Sequence, residues 1–571
     1  MRNFLQLFPL FALSFTFGAV PPKDERAAEP VDTNTSFFEK RFLEWSGTIS
    51  RQQWEARRIS LQKQILTAAG LEPLPAKRAT PRAEIFAKKS YNGFTLEKVL
   101  IETAPNYWLG ANLYRPLTPG RHPAILSPHG HWKDGRAEQT DTGNIPARAV
   151  MLARMGFVVL NYDMVGYNDT KQTPHSFGSP GEQLWNWGPL GLQLWNSIRA
   201  VDFLQSLPDV DPARLGATGA SGGATQTFLL TAVDDRIKWS APVNMISGIM
   251  QGGSPCENAP GLRIGTFNVE IGSMSAPRPM LMVAATGDWT KNTPRQEYPA
   301  VKKIYALYGK ESELESLQFD APHNYNQASR EAVYDFFARK VLGLAKGPKE
   351  SDIPVFSKAD LLSLEGRQLP PGALTYQQVY EQFKAGISKR PTRGPTRERL
   401  LAALHNEWPA NVEAEETATA FALSRTGRAD RVVGRQFPGK GRPVIVIHPN
   451  GTQAAQAHPK VKELIAKGRR VLLLEPYKAP PVSDKLRYFL TFQRSEAAER
   501  IQNILTVLRW LDQIGQRPEL LGLNEAAVWT KVAAAMAPNH PKLLGPNTPL
   551  PTSDEEWLKT LPAPGIRWAL K

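Results

Sequence analysis

The stretch Arg214–Leu230, RLGATGASGGATQTFLL, decides how this chain is read. Its first half has the small and apolar residues of a strand, and its second half, continuing to Asp234, has the composition of a helix. Between them stands Gly219-Ala220-Ser221-Gly222-Gly223, a G-x-S-x-G turn. A strand that enters a helix through so sharp a turn lifts the serine hydroxyl clear of the sheet, and only small flanking residues permit the approach. The helix N-terminus that follows favours developing negative charge. Ser221 is therefore the candidate nucleophile.

A serine nucleophile needs a base, and the base needs an orienting acid. Before the pattern changes near residue 345, His323 is the one histidine downstream of Ser221; it follows the strand-like run "LESLQFDAPH". Asp288 ends another such run, "RPMLMVAATGD". Both fall where loops leave the C-terminal ends of strands, the place where open α/β sheets hold ligands. Asp320 is the rival acid, but it shares a strand end with the histidine. For the oxyanion hole, which needs two convergent N–H donors, Gly222 is expected to supply one. The backbone of His131, in the loop "SPHGHW", is expected to supply the other.

Outward from the turn, strands and helices alternate. "PAILSPHGH" is a strand and loop, "PARAVMLARMG" a helix, "FVVLNYDMVG" a strand, "LGLQLWNSIRAVDFLQSL" a helix, and "REAVYDFFARKVLGL" a closing helix. Such alternation implies an α/β fold, a mostly parallel sheet with helices on both faces. Upstream, residues 36–75 have helical spacing, and residues 83–116 alternate as strands around a Tyr91-Asn92-Gly93 turn.

A second, weaker pattern follows. "GRPVIVIHPNGT", "IAKGRRVLLLEPY" and "LLGLNEAAV" stand in the same order as the earlier loop, strand and turn, with Asn524 where Ser221 would be. The expected organisation is a signal peptide at 1–20, an N-terminal extension at 21–100, a catalytic domain at 101–345, a linker at 346–395, and at 396–571 a degenerate, catalytically dead copy of the first domain.

Composition narrows the partners. The 571 residues carry a net charge of +15, without a basic run or an aromatic-basic platform, so no nucleic acid is expected. Arg2 followed by the apolar run Phe4–Val20 matches a secretory signal, so a secreted or periplasmic protein is expected, with no membrane attachment after cleavage. The one cysteine, Cys256, excludes an intrachain disulfide and a cysteine zinc cluster. The His129-x-His131 pair has no carboxylate at ligand spacing, so neither metal nor cofactor is expected. Trp132, Tyr167, Trp185, Trp187 and Trp289 crowd the loops around the expected site and are candidate substrate-binding residues, since sugar rings stack on such faces.

The segments "ANLYRP", "PAILSPHGHW", "NYDMVGYNDTKQ", "GASGGATQT", "APRPMLMVAATGDWT" and "FDAPHNYNQASREAVYDFF" together resemble the acetyl xylan esterase-like branch of the α/β-hydrolases, over Phe37 to Leu344. The resemblance implies a serine carboxylesterase that removes acyl groups, often acetyl, from plant polysaccharide or its oligosaccharides through a Ser221-His323-Asp288 acyl-enzyme. Two other readings compete: a peptidase of the prolyl-oligopeptidase type, and a non-catalytic carbohydrate-binding protein. The peptidase type carries a large propeller before the hydrolase domain, and only about 80 mature residues precede it here.

Overall fold

Among the described residues, the main strands between Ala83 and Pro322 form a nine-stranded sheet, those of the C-terminal region a separate seven-stranded sheet, and Gln139–Thr140 and Gly143–Asn144 a two-stranded ribbon. The computed structural model describes residues 20, 21, 23, 24, 26, 49–390, 394–479 and 487–571. The expected signal segment, Val20 apart, and the first part of the helical stretch at 36–75 lie outside the described residues. The chain divides into two compact units: a larger one of 29–406, 479–498 and 551–571, and a smaller one of 1–28, 407–478 and 499–550.

In the larger unit, α1 (Arg51–Ala68) begins at a Ser50/Gln53 capping box. An antiparallel meander follows: β1 (Ala83–Tyr91), β2 (Phe94–Ala104) and β3 (Tyr107–Pro116). Asn92-Gly93 makes its first turn, with Gly93 at φ +85°. Then come β4 (His122–Leu126), α2 (Ile145–Arg154), β5 (Val158–Tyr162), α3 (Pro189–Ser206), β6 (Val210–Ala220) and α4 (Gly222–Val233). The unit's sheet closes with β7 (Ile237–Val243), β8 (Met280–Gly287), α5 (Glu297–Ala306), β9 (Leu314–Pro322) and α6 (Gln327–Phe337).

The strand order is β1-β2-β3-β5-β4-β6-β7-β8-β9. β3 pairs antiparallel with β5, and every pair from β5 to β9 is parallel. From β4 the chain steps outward to β5 and then returns past β4 to β6. The order therefore reverses at β4, and the loops after β4 and β6 leave the sheet on either side of a crevice. This is the topological switch at which open α/β sheets place their sites. β5 is buried along its whole length, as a parallel strand covered on both faces must be.

The segment expected as a linker is part of this unit. Arg136, fully buried, pairs with both Asp163 and Asp169. Asp169 also accepts the backbone N–H groups of Ser363 (2.7 Å) and Leu364 (2.9 Å), and Asn112 donates to the Leu361 carbonyl at 2.7 Å. Phe356 and Leu361 enter the core beside β2 and β3. A further helix, α7 (Tyr376–Ile387), lays Tyr380 and Phe383 against Trp187. Lys, Pro and Gly content suggested a spacer; buried carboxylates that need backbone donors hold the segment in place. Residues 551–571 likewise belong to the larger unit, where Gly565 N–H donates to the Gln183 carbonyl and the Arg567 guanidinium covers the Trp185 ring.

The smaller unit holds β10 (Val412–Glu416), β11 (Ala420–Arg425), β12 (Val432–Phe437), β13 (Lys440–Ile447), β14 (Arg469–Leu474), β15 (Glu519–Gly522) and β16 (Lys542–Leu543). Their order, β10-β11-β12-β14-β13-β15-β16, repeats that of β1 to β7, with the same parallel and antiparallel pairs. After β15, Asn524 sits at φ +53° before α8 (Ala526–Met536), close to the +57° of Ser221 before α4.

Arg136→Ala would leave two buried carboxylates sharing no counter-charge. The expected loss is about 3–5 kcal/mol, read as a lower denaturant midpoint. An unchanged midpoint would show that the ion triad does not hold the 356–364 segment.

Candidate active site

Ser221 occupies the left-handed region at φ +57°, ψ −127°, between β6 and α4. Close packing forces the glycines around it. A Cβ on Gly219 would stand 2.6 Å from the Gly223 backbone and from the Pro128 carbonyl, and one on Gly223 would stand 2.5 Å from that same oxygen. The Ser221 carbonyl accepts from Ala224 and Thr225 N–H, which starts the helix, and its N–H donates to the Val243 carbonyl at 3.1 Å.

At the end of β8, Asp288 is buried to 1% exposure and places Oδ2 2.8 Å from His323 Nδ1. Its other oxygen accepts the Thr290 N–H (2.7 Å) and the Thr290 hydroxyl. With Nδ1–H donated to the carboxylate, Nε2 of His323 keeps its lone pair, and this atom is buried without a hydrogen-bond partner among the described residues. Asp320 instead accepts the Thr286 hydroxyl on the exposed end of β9 and takes no part in the pair.

One residue ties the three loops together. Asn244, fully buried at φ +55°, follows Val243, the residue that accepts the Ser221 N–H. Its carbonyl accepts Trp289 Nε1–H at 3.1 Å, which holds the Asp288 loop. Its side-chain amide donates to the Asn324 carbonyl at 2.9 Å, which holds the His323 loop. The next residues of the same loop are pinned as well: Ser247 Oγ donates to the Trp289 carbonyl, and the Gly248 N–H donates to Glu297 Oε1 at 2.9 Å. Burial raises the Glu297 pKa from 4.5 to about 7, and its Oε2 has no hydrogen-bond partner among the described residues. No sequence motif marks Asn244 or Glu297, because their partners come from three different loops.

On the β4 loop, His129 is structural. Its Nε2 accepts the Met164 N–H at 2.9 Å, and burial lowers its pKa to about 3. His131 lies against the turn: a Cβ on Gly222 would meet its ring at 2.5 Å. Its Nε2 is 3.1 Å from Cys256 Sγ, and its ring centroid is 5.2 Å from that of His175. Among the described residues, His131, His175 and Cys256 form the one group of three whose ligand-type atoms lie within 4.8 Å of one another. His129 takes no part in it, and the spacing of residues 129 and 131 does not reveal it.

The five aromatic candidates separate. Trp289 stacks on His323, centroids 4.2 Å apart, and Tyr167 meets His129 and His175 edge-on at 5.1 and 5.0 Å. Trp132 covers Gly130 and Gly143, where any side chain would strike its ring. Trp185 and Trp187 are each only 4% exposed. Trp185 donates to Asp554, and Trp187 is packed among Phe177, Tyr380 and Phe383, so both give their faces to protein neighbours. Trp187 also borders a cavity of about 530 Å³ with Phe177, Tyr488 and Phe489, and none of Ser221, Asp288 and His323 lines that cavity.

No protein-family model matches the chain. The solved structure of Methylesterase BT1017 matches with 29% identity and a TM-score of 0.54, over 63% of this chain and 82% of that one. Acetyl xylan esterase from Paenibacillus sp. R4 matches with 16% identity and a TM-score of 0.33, over 55% of this chain and 97% of that one. In sequence, "Putative hydrolase YtaP" of Bacillus subtilis (strain 168) is 30% identical over 148 residues, 24% of this chain. The match spans 46% of that relative's length, a little under half. The chain has the α/β-hydrolase fold, and the solved structure that it matches at a TM-score of 0.54 is a methylesterase.

Asn244→Ala should lower kcat at least tenfold with an unchanged far-ultraviolet spectrum, since misplacement of catalytic groups by a fraction of an ångström has effects of about that size or more. Wild-type kinetics in the variant would remove Asn244 from its positioning role. Glu297 makes a separate, pH-dependent contribution. Its pKa is raised in the folded state, so its stabilising effect is complete below about pH 4.5 and disappears as pH rises through about 7. Glu297→Gln should therefore gain on wild type between pH 5 and pH 8, by about 1–3 kcal/mol. Parallel stability curves for the two proteins would show that Glu297 ionises freely.

Proposed function

We propose that this α/β-hydrolase is a serine carboxylesterase acting on carbohydrate-borne esters, and the observation that carries the proposal is the hydrogen-bonded Asp288–His323 pair, tied through Val243 and Asn244 to the strained Ser221 turn. Ser221 Oγ attacks the ester carbonyl while His323 Nε2 takes its proton, and Asp288 holds the imidazole and balances its charge. The Gly222 N–H at the start of α4 and the backbone N–H of His131 face the developing oxyanion. The alcohol leaves with the proton from His323, which then activates water to release the acid.

Two ester classes have support. The resemblance to acetyl xylan esterases supports an acetyl group on a sugar hydroxyl. The better match to a methylesterase supports a methyl ester, which on a polysaccharide is the ester of a uronic acid. The net charge of +15 suits a chain carrying free uronates, and this favours the methyl ester. The sequence of residues 1–20 supports export. The repeated strand order and the Asn524 turn support the smaller unit as a degenerate copy without a nucleophile.

Purified wild type and Ser221→Ala, assayed on p-nitrophenyl acetate, acetylated xylan and methyl-esterified pectin, test the reading. Loss of about three or more orders of magnitude in a folded variant is expected, with wild type releasing methanol from pectin faster than acetate from xylan. Faster acetate release would assign the acetyl class. Equal rates in the two proteins would overturn the serine mechanism.

A further inference from the structure

The proposed mechanism uses only the backbone of His131, yet the structure brings its imidazole to the nucleophile turn. The Cε1–Nδ1 edge of the ring lies over Gly222, where a Cβ would be 2.5 Å from Cε1 and 2.8 Å from Nδ1. In the proposed mechanism Gly222 supplies an N–H to the oxyanion, and the Nδ1 edge of the His131 ring lies beside that same residue. This contact also explains Gly222, since a side chain there would strike the His131 ring and the Met164 methyl group.

The second ring nitrogen, on the other side of Cε1, has its own partner. Nε2 is 3.1 Å from Sγ of Cys256, which is only 2% exposed. Which of the two carries the shared proton decides what Nδ1 can do. Burial and the neighbouring Glu257 push the Cys256 pKa well up, so sulfur keeps its hydrogen. An imidazole nitrogen is a much stronger acceptor than a thiol. The other acceptor near sulfur, Ser254 Oγ, is farther away at 3.7 Å. That hydroxyl stands 3.3 Å from His175 Nε2, and His175 Nδ1 is committed to the Val165 carbonyl at 2.7 Å. With Nδ1–H of His175 donating to the carbonyl, its Nε2 accepts from Ser254, and the shorter contact from sulfur goes to His131.

We propose that Cys256 donates its S–H to His131 Nε2, fixing His131 as the neutral Nδ1–H tautomer, and that this Nδ1–H is a third donor to the oxyanion. The arrangement rests on the esterase reading and deepens it. His131 is then a catalytic residue through its side chain, and Cys256 a positioning residue that acts through it. A neutral donor is what the site requires, because His323 becomes an imidazolium close by during the same step. Burial, followed by His175 and His323, lowers the His131 pKa to about 4, which keeps it neutral. A cationic ring would oppose protonation of the base.

Two measurements test the proposal. In protein labelled with ¹⁵N-histidine, the ring correlations of His131 should show a proton on Nδ1 and a bare Nε2, and Cys256→Ala should shift the population toward the other tautomer. In p-nitrophenyl acetate hydrolysis, whose readout does not depend on the carbohydrate, His131→Ala should lower kcat about a hundredfold. His131→Gln, which keeps an N–H donor, should recover at least about tenfold of that loss. Cys256→Ala should lower kcat about three- to tenfold with KM unchanged. A proton on Nε2 of wild type, or His131→Ala within about twofold of wild type, would overturn the proposal. So would one equivalent of bound cobalt(II) with a thiolate charge-transfer band that Cys256→Ala abolishes, because the three side chains would then be metal ligands. If Ser221→Ala were also as active as wild type, the esterase reading itself would fail; loss in Ser221→Ala alone would remove only the role of the His131 ring.

Discussion

The site depends on one close approach. The turn around Ser221 is pressed so tightly against the loop after β4 that neither Gly219 nor Gly223 has room for a Cβ, each being blocked by the Pro128 carbonyl. Only neighbouring parallel strands can bring two loops that near. The pairing of β4 with β6, and so the reversal of strand order at β4, is therefore a condition for the nucleophile's geometry. The left-handed backbone at Ser221 is strained for a residue with a side chain, and the surrounding packing over-determines it.

Around this contact, the loops that carry Asp288 and His323 are tied by hydrogen bonds to a single buried asparagine. The Ser221 N–H ends on the Val243 carbonyl, and the next residue, Asn244, holds the Asp288 loop with its carbonyl and the His323 loop with its amide. Each bond is modest alone, but Asn244 itself is fully buried, and breaking a bond to it leaves a buried polar group unsatisfied. Below the β4 loop, Arg136 joins Asp163, Asp169 and the chain around Leu361 into one buried knot. Burial raises the Asp163 pKa to about 6 despite Arg136, which marks how costly the enclosure of these charges is.

The strands, the principal helices and the G-x-S-x-G turn were legible because each is a local pattern: alternation, helical spacing, and glycines around a serine. The acid and base were legible through chain order and strand ends. The aromatic residues were less so. Trp289 adjoins His323 and Tyr167 adjoins His129, while Trp185 and Trp187 are buried in packing, and nothing in the local composition of 167–188 separates Tyr167 from the two buried tryptophans. The segment at 346–395 has the Lys, Pro and Gly of a spacer, yet its backbone N–H groups are partners that the buried Asp169 requires.

By itself, then, the sequence determined the α/β alternation, the nucleophile turn, its candidate partners, and a second run of the same pattern carrying Asn524 in place of serine. The tertiary structure decided which groups meet: Asp288 rather than Asp320 on His323, Asn244 between three loops, and Cys256 behind the His131 ring. The reason is physical. Hydrophobic period and turn chemistry act between residues a few positions apart, whereas hydrogen bonds among loops at the end of a sheet join residues tens to hundreds of positions apart. Their partners are set by strand order and packing, which no local pattern contains.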